Sequence, residues 1–507
     1  MSDNLKIKRA LISLSEKEGI VELCTALNKF DVEIFSSEGT KKFLETNGVP
    51  TKSISEITEL PALLGGRVKT LHPFIHAAIL ADKKSSQHMN ELLERDIKPF
   101  DIVIVNFYPF EKVLKENSTN ESDIIENIDI GGPTMIRSAA KNFQNIVVLS
   151  SKEQYSSFIE ELDTNNGAIS RETRKELASS AFQRIVEYDI AISNYFNGEE
   201  VLNLSSKKAL SLRYGENPHQ SAKLYGDFLE SFQHIHGKEL SYNNILDLNA
   251  AADLLDDLDE NSCVIMKHNN PCGVATGINC FEAYSKALNC EPISAFGGIV
   301  AFNSEIDIDT AKKLNEIFIE VIILPEINDE IKKILLVKKD RRIILYTKKR
   351  NNLKKEYRSV RGGTLIQSRN ELLFDKNNLK IVTEKNPSEE EMDDLLFAWR
   401  IVKHVKSNAI VYVKNKGTIG IGAGQMSRVD SAKIARMKAN QFKHDTKNCV
   451  VASDAFFPFA DGLEEAISVG ATGVIQPGGS VRDQEVIDAA NKNNISMVFT
   501  NIRHFKH

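Results

Sequence analysis

A short apolar run that breaks off into a polar or glycine-bearing turn, and then into a helix, recurs along this chain and constrains its fold more than any other feature. Residues 9–14 (RALISL) lead into Ser15-Glu16-Lys17 and a helix with Cys24, Leu27 and Phe30 on one face. Residues 32–35 (VEIF) lead into Ser36-Ser37-Glu38-Gly39-Thr40 and a helix carrying Phe43 and Leu44. Residues 101–107 (DIVIVNF) end in Asn106-Phe107-Tyr108-Pro109. The run Ile128-Asp129-Ile130-Gly131-Gly132-Pro133-Thr134 opens a helix with Arg137 and Lys141 on one face, and residues 146–150 add a further strand. Polar residues at successive strand ends are the pattern of a doubly wound parallel α/β sheet. From Ser407 a second series begins. Residues 409–413 and 418–421 read as a hairpin around Asn415-Lys416-Gly417, Gly422 to Arg428 enter a helix, and residues 450–459, 473–479 and 495–503 are further strand-to-loop junctions. Two related β-α halves facing each other suit this order, although their direct similarity is too weak to read as a repeat.

At 507 residues the chain is too long for one core, so two or three domains are expected. A net charge of −6 argues against a surface that coats nucleic acid, and no segment has the uninterrupted apolar length of a membrane span. The first 20 residues lack the apolar core of a signal peptide, and the six cysteines form no CxxC pair, which fits reduced thiols and a cytoplasmic location. Helical sequence runs to about Phe196, and Asn197-Gly198-Glu199-Glu200 reads as a linker. Basic clusters in residues 328–358 flank Ile343-Ile344-Leu345, which reads as an exposed strand with solvated, lysine-rich edges rather than an RNA site.

Three stretches carry candidate chemistry. In Cys263-Val264-Ile265-Met266-Lys267-His268-Asn269-Asn270-Pro271-Cys272-Gly273 an apolar strand ends in a lysine and a histidine, and Asn-Asn-Pro is expected to force a turn. A Lys-His pair outside a strand's carboxyl end can hold an anion and move a proton. In Leu64-Gly65-Gly66-Arg67-Val68-Lys69-Thr70-Leu71-His72-Pro73 the glycines let backbone approach a ligand, and Arg67 and Lys69 would point the same way from an extended segment. The small-residue loop at Ser37-Glu38-Gly39-Thr40, entering a helix, suits a phosphate. A second polar loop, Leu212 to Gln220 (LRYGENPHQ), opens the later part of the chain. Pro271-Cys272 suggests a zinc deaminase, but position 275 is alanine and no His-x-Glu lies upstream, so that metal site is not expected. A P-loop and a strand-anchored GxGxxG are missing as well.

Long motifs in order, GGRVKTLHP, DIVIVNFYPF, IDIGGPTMIRSAAKNF, LRYGENPHQ, KHNNPCGVATG, SAFGGIVAFN, IGIGAGQMSRVDS, SDAFFPFADG and NIRHFKH, cover the chain from end to end. Through them it resembles the bifunctional purine biosynthesis proteins, in which phosphoribosylaminoimidazolecarboxamide formyltransferase is joined to IMP cyclohydrolase. The resemblance implies a methylglyoxal-synthase-like cyclohydrolase domain over residues 1–197. It also implies a formyltransferase domain over residues 198–507, made of two zinc-free cytidine-deaminase-like subdomains, roughly 198–370 and 371–507. Lys267 and His268 would carry formyl transfer from the cosubstrate 10-formyltetrahydrofolate to the aminoimidazole carboxamide ribotide (AICAR). Arg213, Tyr214, Gly297, Glu320, Asn408, Arg428, Phe456 and Arg503 would bind the ribotide, and Pro458 and Phe459 would lie near the folate. Arg67, Lys69, Tyr108, Asp129 and Lys141 would close the ring of the formylated product (FAICAR) to IMP. Asp129 would act as base and Lys141 as oxyanion stabiliser. The phosphate would rest on Ser15, Lys17, Ser37, Gly39 and Thr40, with Asn106 beside it. No metal, nucleic acid or membrane is implied, and a homodimer is.

The chain departs from the family pattern at Glu38, where a glycine is usual, and at Phe74, Ala77 and Ala78. A carboxylate facing a phosphate repels it, so Glu38 must point away or weaken binding. The alternatives are a formyltransferase whose first domain only binds nucleotide, and an RNA-binding or nucleotide-sensing protein that uses residues 328–358.

Overall fold

The structure is a computed structural model and describes residues 3–61, 63–116, 120–198, 202, 204, 206, 208–347, 355–375 and 378–507. Two compact units divide it, Met1–Leu204 and Ser205–His507. Of the expected linker, Glu199 and Glu200 lie outside the described residues, as do the basic residues 348–350 and Lys354.

The first unit is built on five parallel strands in the order Lys52–Ser53, Glu33–Ser36, Arg9–Ser13, Ile102–Val105 and Val147–Leu149. Ile102 to Val105 are all buried, the continuous apolar run of a strand covered on both faces. One face packs the helices Ile20–Asn28 and Tyr155–Thr164 around Leu23, Leu27 and Phe158. The other packs Pro73–Leu80, Gly131–Lys141 and Arg171–Asn197 around Ile75, Ile136 and Tyr188. The last helix stops at Gly198, whose φ of 63° gives the left-handed C-cap that glycine adopts without steric cost. Chain order runs outward in one direction from Arg9–Ser13 and then resumes on its other side at Ile102–Val105. The gap between those two strands is therefore the switch point, where α/β sheets bind ligands.

The second unit contains one twelve-stranded mixed sheet. Its first half follows the order strand Phe232–His236, helix Tyr242–Asp256, hairpin Ser262–Lys267 with Asn270–Thr276, then strands Ile299–Phe302, Val321–Leu324 and Arg342–Tyr346 alternating with helices. The second half repeats it: strand Lys380–Ile381, helix Glu389–Val402, hairpin Ile410–Lys414 with Gly417–Gly422, then strands Val450–Ser453, Gly473–Gln476 and Ser496–Phe499. In both, the first strand lies antiparallel at the outer edge, the three later strands are parallel, and the hairpin is antiparallel to them. The halves join where Ala275 pairs with Gly417. Helices Tyr242–Asp256 and Glu389–Val402 share one core that spans both halves, including Leu254, Val264, Trp399 and Val411. The halves are thus a structural duplication that their side chains no longer advertise.

Two expectations are corrected here. The turn after Lys267 is made by His268 and Asn269, both left-handed (φ 51° and 60°), while Pro271 and Cys272 lie inside the returning strand. A two-residue turn with both residues at positive φ matches the twist of a hairpin, which Asn-Asn-Pro alone does not reveal. Residues 342–346 do not form an exposed strand. They pair on both sides, and Arg342, Ile343 and Ile344 are buried. Their basic neighbours are partly structural: Arg341 donates to Leu314 O at 3.1 Å and Arg342 to Glu320 at 3.0 Å.

Candidate active sites

In the first unit the switch point collects loops from three strands. Asn106, just past Ile102–Val105, accepts from the Ser15 N–H at 2.7 Å and from the Ser15 hydroxyl at 3.1 Å, and donates to Glu16 O at 2.7 Å. Lys17 folds back on Ser15 O at 3.3 Å. Helix Glu38–Thr46 presents its N-terminus beside them, and a Cβ added at Gly39 would meet nothing within 4 Å, so a ligand has room to approach the free N–H groups. Ser37 leaves its own helix uncapped and lies 3.2 Å from the Ser13 hydroxyl, so its hydroxyl can turn to an anion. Thr40 is different. It is buried, accepts from Leu14 N and donates to Leu14 O, so its hydroxyl shapes the loop. The Glu38 carboxylate accepts from the Ser53 hydroxyl, which draws it toward the neighbouring strand. Phe74 and Ala77 pack against the core and Ala78 is buried, so these departures from the family pattern fall in packing positions.

Asp129 stands just before helix Gly131–Lys141. Its carboxylate accepts from Gly132 N at 2.9 Å and Tyr108 N at 3.4 Å, and its own N–H donates to the Tyr188 hydroxyl at 2.8 Å. Burial pushes the carboxyl above the ordinary aspartate range, while those N–H groups and the Lys69 charge pull it back. Gly131 and Gly132 permit the arrangement: a Cβ would meet Thr70 Oγ1 at 2.7 Å in the first case and Asp129 Cγ at 3.0 Å in the second. Buried Thr70 thus seats the Lys69 loop on the helix start, a contact the sequence did not disclose.

The structure brings Asp129, Tyr108 and Lys69 together. Arg67 does not follow an extended path parallel to Lys69. Leu63 and Val68 bridge, Leu64–Gly66 is a 3-10 turn, and Arg67 has helical angles and pairs with Glu126. Lys141 lies at the far end of the helix that begins beside Asp129, about 15 Å along its axis at 1.5 Å per residue. Within one chain these two groups do not meet.

In the second unit Lys267 and His268 form the tip of the first hairpin. That strand runs antiparallel to its neighbours, so its carboxyl end lies at the amino ends of the parallel strands that begin at Ile299, Val321 and Arg342. Lys267 donates to Phe296 O at 2.7 Å, and His268 is exposed. Gly297 (φ 72°) bonds Phe318 O at 2.7 Å, and Glu320 accepts from Arg342 and from Asn244 at 3.1 Å, so both stand at the same sheet end. The Arg213-Tyr214 loop is tied to the start of helix Tyr242–Asp256 through Asn243 and Glu216 O at 3.2 Å.

The second half meets this tip through Asn270, which accepts from Lys406 N at 3.0 Å. Next to it, Arg428 donates to Ser453 at 2.8 Å, Asp454 at 2.6 Å and Asn408 at 3.2 Å. Asp454 also accepts from Ser407, and its carbonyl holds His504 N at 2.9 Å, beside exposed Arg503. Burial lowers the Arg428 guanidinium and the Asp454 charge opposes it. Phe456 is half-buried, Pro458 and Phe459 are exposed, and Arg482 lies 4.6 Å over the Phe459 ring. Asp454 and Arg482 are residues that sequence reasoning missed. Among the described residues no cluster of three or more histidine, cysteine or acidic side chains could hold a metal ion.

A family model described as the AICARFT/IMPCHase bienzyme matches residues 139–438, and one described as an MGS-like domain matches residues 19–134. The bifunctional purine biosynthesis protein PurH of Chlorobium phaeobacteroides (strain DSM 266) is 48% identical, with all of both chains covered. That of Chlorobium chlorochromatii is 47% identical over all of both chains, and that of Persephonella marina 48% over 99% of this chain and 100% of its own. A solved structure, the crystal structure of ForH, is 31% identical over 38% of this chain and 99% of its own, with a TM-score of 0.35. With full-length identity near one half, the chain belongs to the AICARFT/IMPCHase bienzyme family of bifunctional purine biosynthesis proteins.

Proposed function

We propose that the two activities of the family, formyl transfer to AICAR and ring closure of FAICAR to IMP, run in this chain on two separate residue sets. The cosubstrate is 10-formyltetrahydrofolate, Lys267-His268 serves the first reaction and Asp129 with Lys69 and Tyr108 the second. The observation that carries the reading is the hairpin tip of half-buried Lys267 and exposed His268, joined through Asn270 to the segment bearing Asn408 and Arg428.

In formyl transfer the ribotide 5-amine attacks the formyl carbon, a C–N bond forms, and the bond to N10 breaks. His268 accepts the amine proton, and the leaving nitrogen regains one. Lys267 spends one N–H on Phe296 O and keeps two for the oxyanion. Arg428, held on three sides, is rigid enough to orient the ribotide. Pro458, Phe459 and Arg482 offer an apolar ledge and a cation to the folate. His268→Ala should lower formyl transfer at least about a hundredfold with ring closure intact; normal transfer by that variant sinks the assignment.

Ring closure is intramolecular, so it needs the right conformer and proton transfers. Asp129, with its raised pKa, takes the carboxamide proton as nitrogen attacks the formamide, and water departs. Lys69 is the cation beside it. Ser15, Lys17, Ser37 and Gly39 receive the phosphate. Lys141 can assist Asp129 only from a second copy of the chain, which accords with the proposed homodimer. Mixing inactive Asp129→Ala and Lys141→Ala proteins should then restore ring closure, and no recovery would remove Lys141 from the reaction. No helix among the described residues is long and apolar enough to cross a membrane, and we place the enzyme in the cytoplasm.

A further inference from the structure

We propose that Asp247 is a positioning residue for formyl transfer, its carboxylate clamping the His268–Asn269 turn so that the imidazole is presented in one orientation. The proposal rests on the assignment of His268 above. Asp247 projects from helix Tyr242–Asp256 and accepts from Asn269 N at 2.6 Å, and the His268 N–H bonds the same carboxylate. Both turn residues have positive φ, a backbone region that non-glycine residues enter at a cost. Charge-assisted bonds to both N–H groups fix that conformation from below and leave the side chain above it exposed. The other charges acting on the Asp247 carboxylate are His268 itself and Glu320, just before strand Val321–Leu324; Glu320 is in turn paired with Arg342, and Lys267, next to His268, is directed to Phe296 O.

The duplicated half supplies an independent observation. There Asp394, from helix Glu389–Val402, accepts from Asn415 N at 2.7 Å and Lys416 N at 2.6 Å, and that turn is also left-handed at both residues (φ 52° and 52°). The clamp is therefore a device of the repeated architecture. Only the first copy carries a lysine and a histidine at the tip. In the second, Lys414 is consumed by Asp445 at 2.6 Å and Lys447 O at 2.8 Å, and asparagine stands in place of the histidine. The same clamp thus has a structural duty in one half and a structural and an aiming duty in the other.

The matched pair gives the test, made on the full-length protein. Asp247→Asn should lower kcat for formyl transfer about tenfold or more, because a misdirected imidazole no longer meets the amine. KM for AICAR should stay within about twofold, and ring closure of supplied FAICAR should be unchanged. Asp247→Asn and Asp394→Asn should lower the melting temperature by similar amounts, but Asp394→Asn should leave kcat at the wild-type value. If Asp247→Asn does not fold, Asp247→Glu, which keeps the charge and moves it, should show the same split to a smaller degree. Wild-type kcat in the Asp247 variants while His268→Ala is inactive would overturn the clamp's aiming role, as would equal kcat losses in the Asp247 and Asp394 variants. Normal transfer by His268→Ala would instead overturn the assignment beneath it.

Discussion

Replacing Gly132 by alanine puts one methyl group against the proposed base of ring closure. The new Cβ would lie 3.0 Å from Asp129 Cγ and 3.2 Å from Phe107 Cδ1, and closer still to Asp129 Oδ2. Carbon atoms settle at about 3.5 Å, so the carboxylate must retreat by at least about 0.5 Å. Phe107 is a buried ring and offers little room on the other side. The retreat also stretches the 2.9 Å bond from Gly132 N that holds the carboxylate in place. A misplacement of about 1 Å costs on the order of a hundredfold in rate, so half of it costs on the order of tenfold, or about 1.4 kcal/mol in the barrier. The assay supplies FAICAR and follows IMP formation, with formyl transfer by the same protein as the control. A tenfold or greater loss of ring closure with transfer intact is expected. Wild-type ring closure by Gly132→Ala would refute the argument that Asp129 must sit where the helix start holds it.

Other consequences follow from neighbouring contacts. Because Lys69 pulls the Asp129 carboxyl down against the upward push of burial, Lys69→Met should move the acidic limb of the ring-closure pH profile to higher pH; a limb that stays or moves to lower pH contradicts this. Ser53→Ala frees the Glu38 carboxylate to face the phosphate, so KM for FAICAR should rise, and adding Glu38→Gln should reverse the rise. An unchanged KM in the single variant would show that Glu38 is held by something else. Asp454→Ala leaves the buried Arg428 charge without its carboxylate, a loss of about 3–5 kcal/mol, read as a lower denaturant midpoint of the second unit; an unchanged midpoint would mean that the pair contributes little.

The strands and the loops after them were legible because apolar runs ending in Ser15, Ser37 or Asn106 leave little other choice, and Gly131-Gly132-Pro133 marks the helix start beside Asp129. The long motifs made the family legible as well. Relations across space were less accessible. Nothing near residue 67 announces Glu126, and the period of an extended segment fails once Leu64–Gly66 turns. The Arg342–Tyr346 strand carries basic flanks that suggest exposure, but Arg341 and Arg342 are buried against carbonyls and Glu320. Asp247 and Asp394 act on backbone N–H groups twenty or so residues away, an interaction that does not depend on which side chain the turn carries. For the same reason the duplication survives in strand order while its sequence signal has faded. Lys141 follows Asp129 closely in the chain, yet the helix between them sets them apart.

The central claim, two working sites in one chain, is tested most directly by anaerobic incubation of the purified protein with AICAR and 10-formyltetrahydrofolate. Tetrahydrofolate is followed by absorbance and the nucleotides are separated by chromatography. The account predicts that tetrahydrofolate and IMP both appear at rates proportional to enzyme, without lasting accumulation of FAICAR. Tetrahydrofolate with FAICAR accumulating would contradict a working first unit, and formation of neither product would contradict the account as a whole.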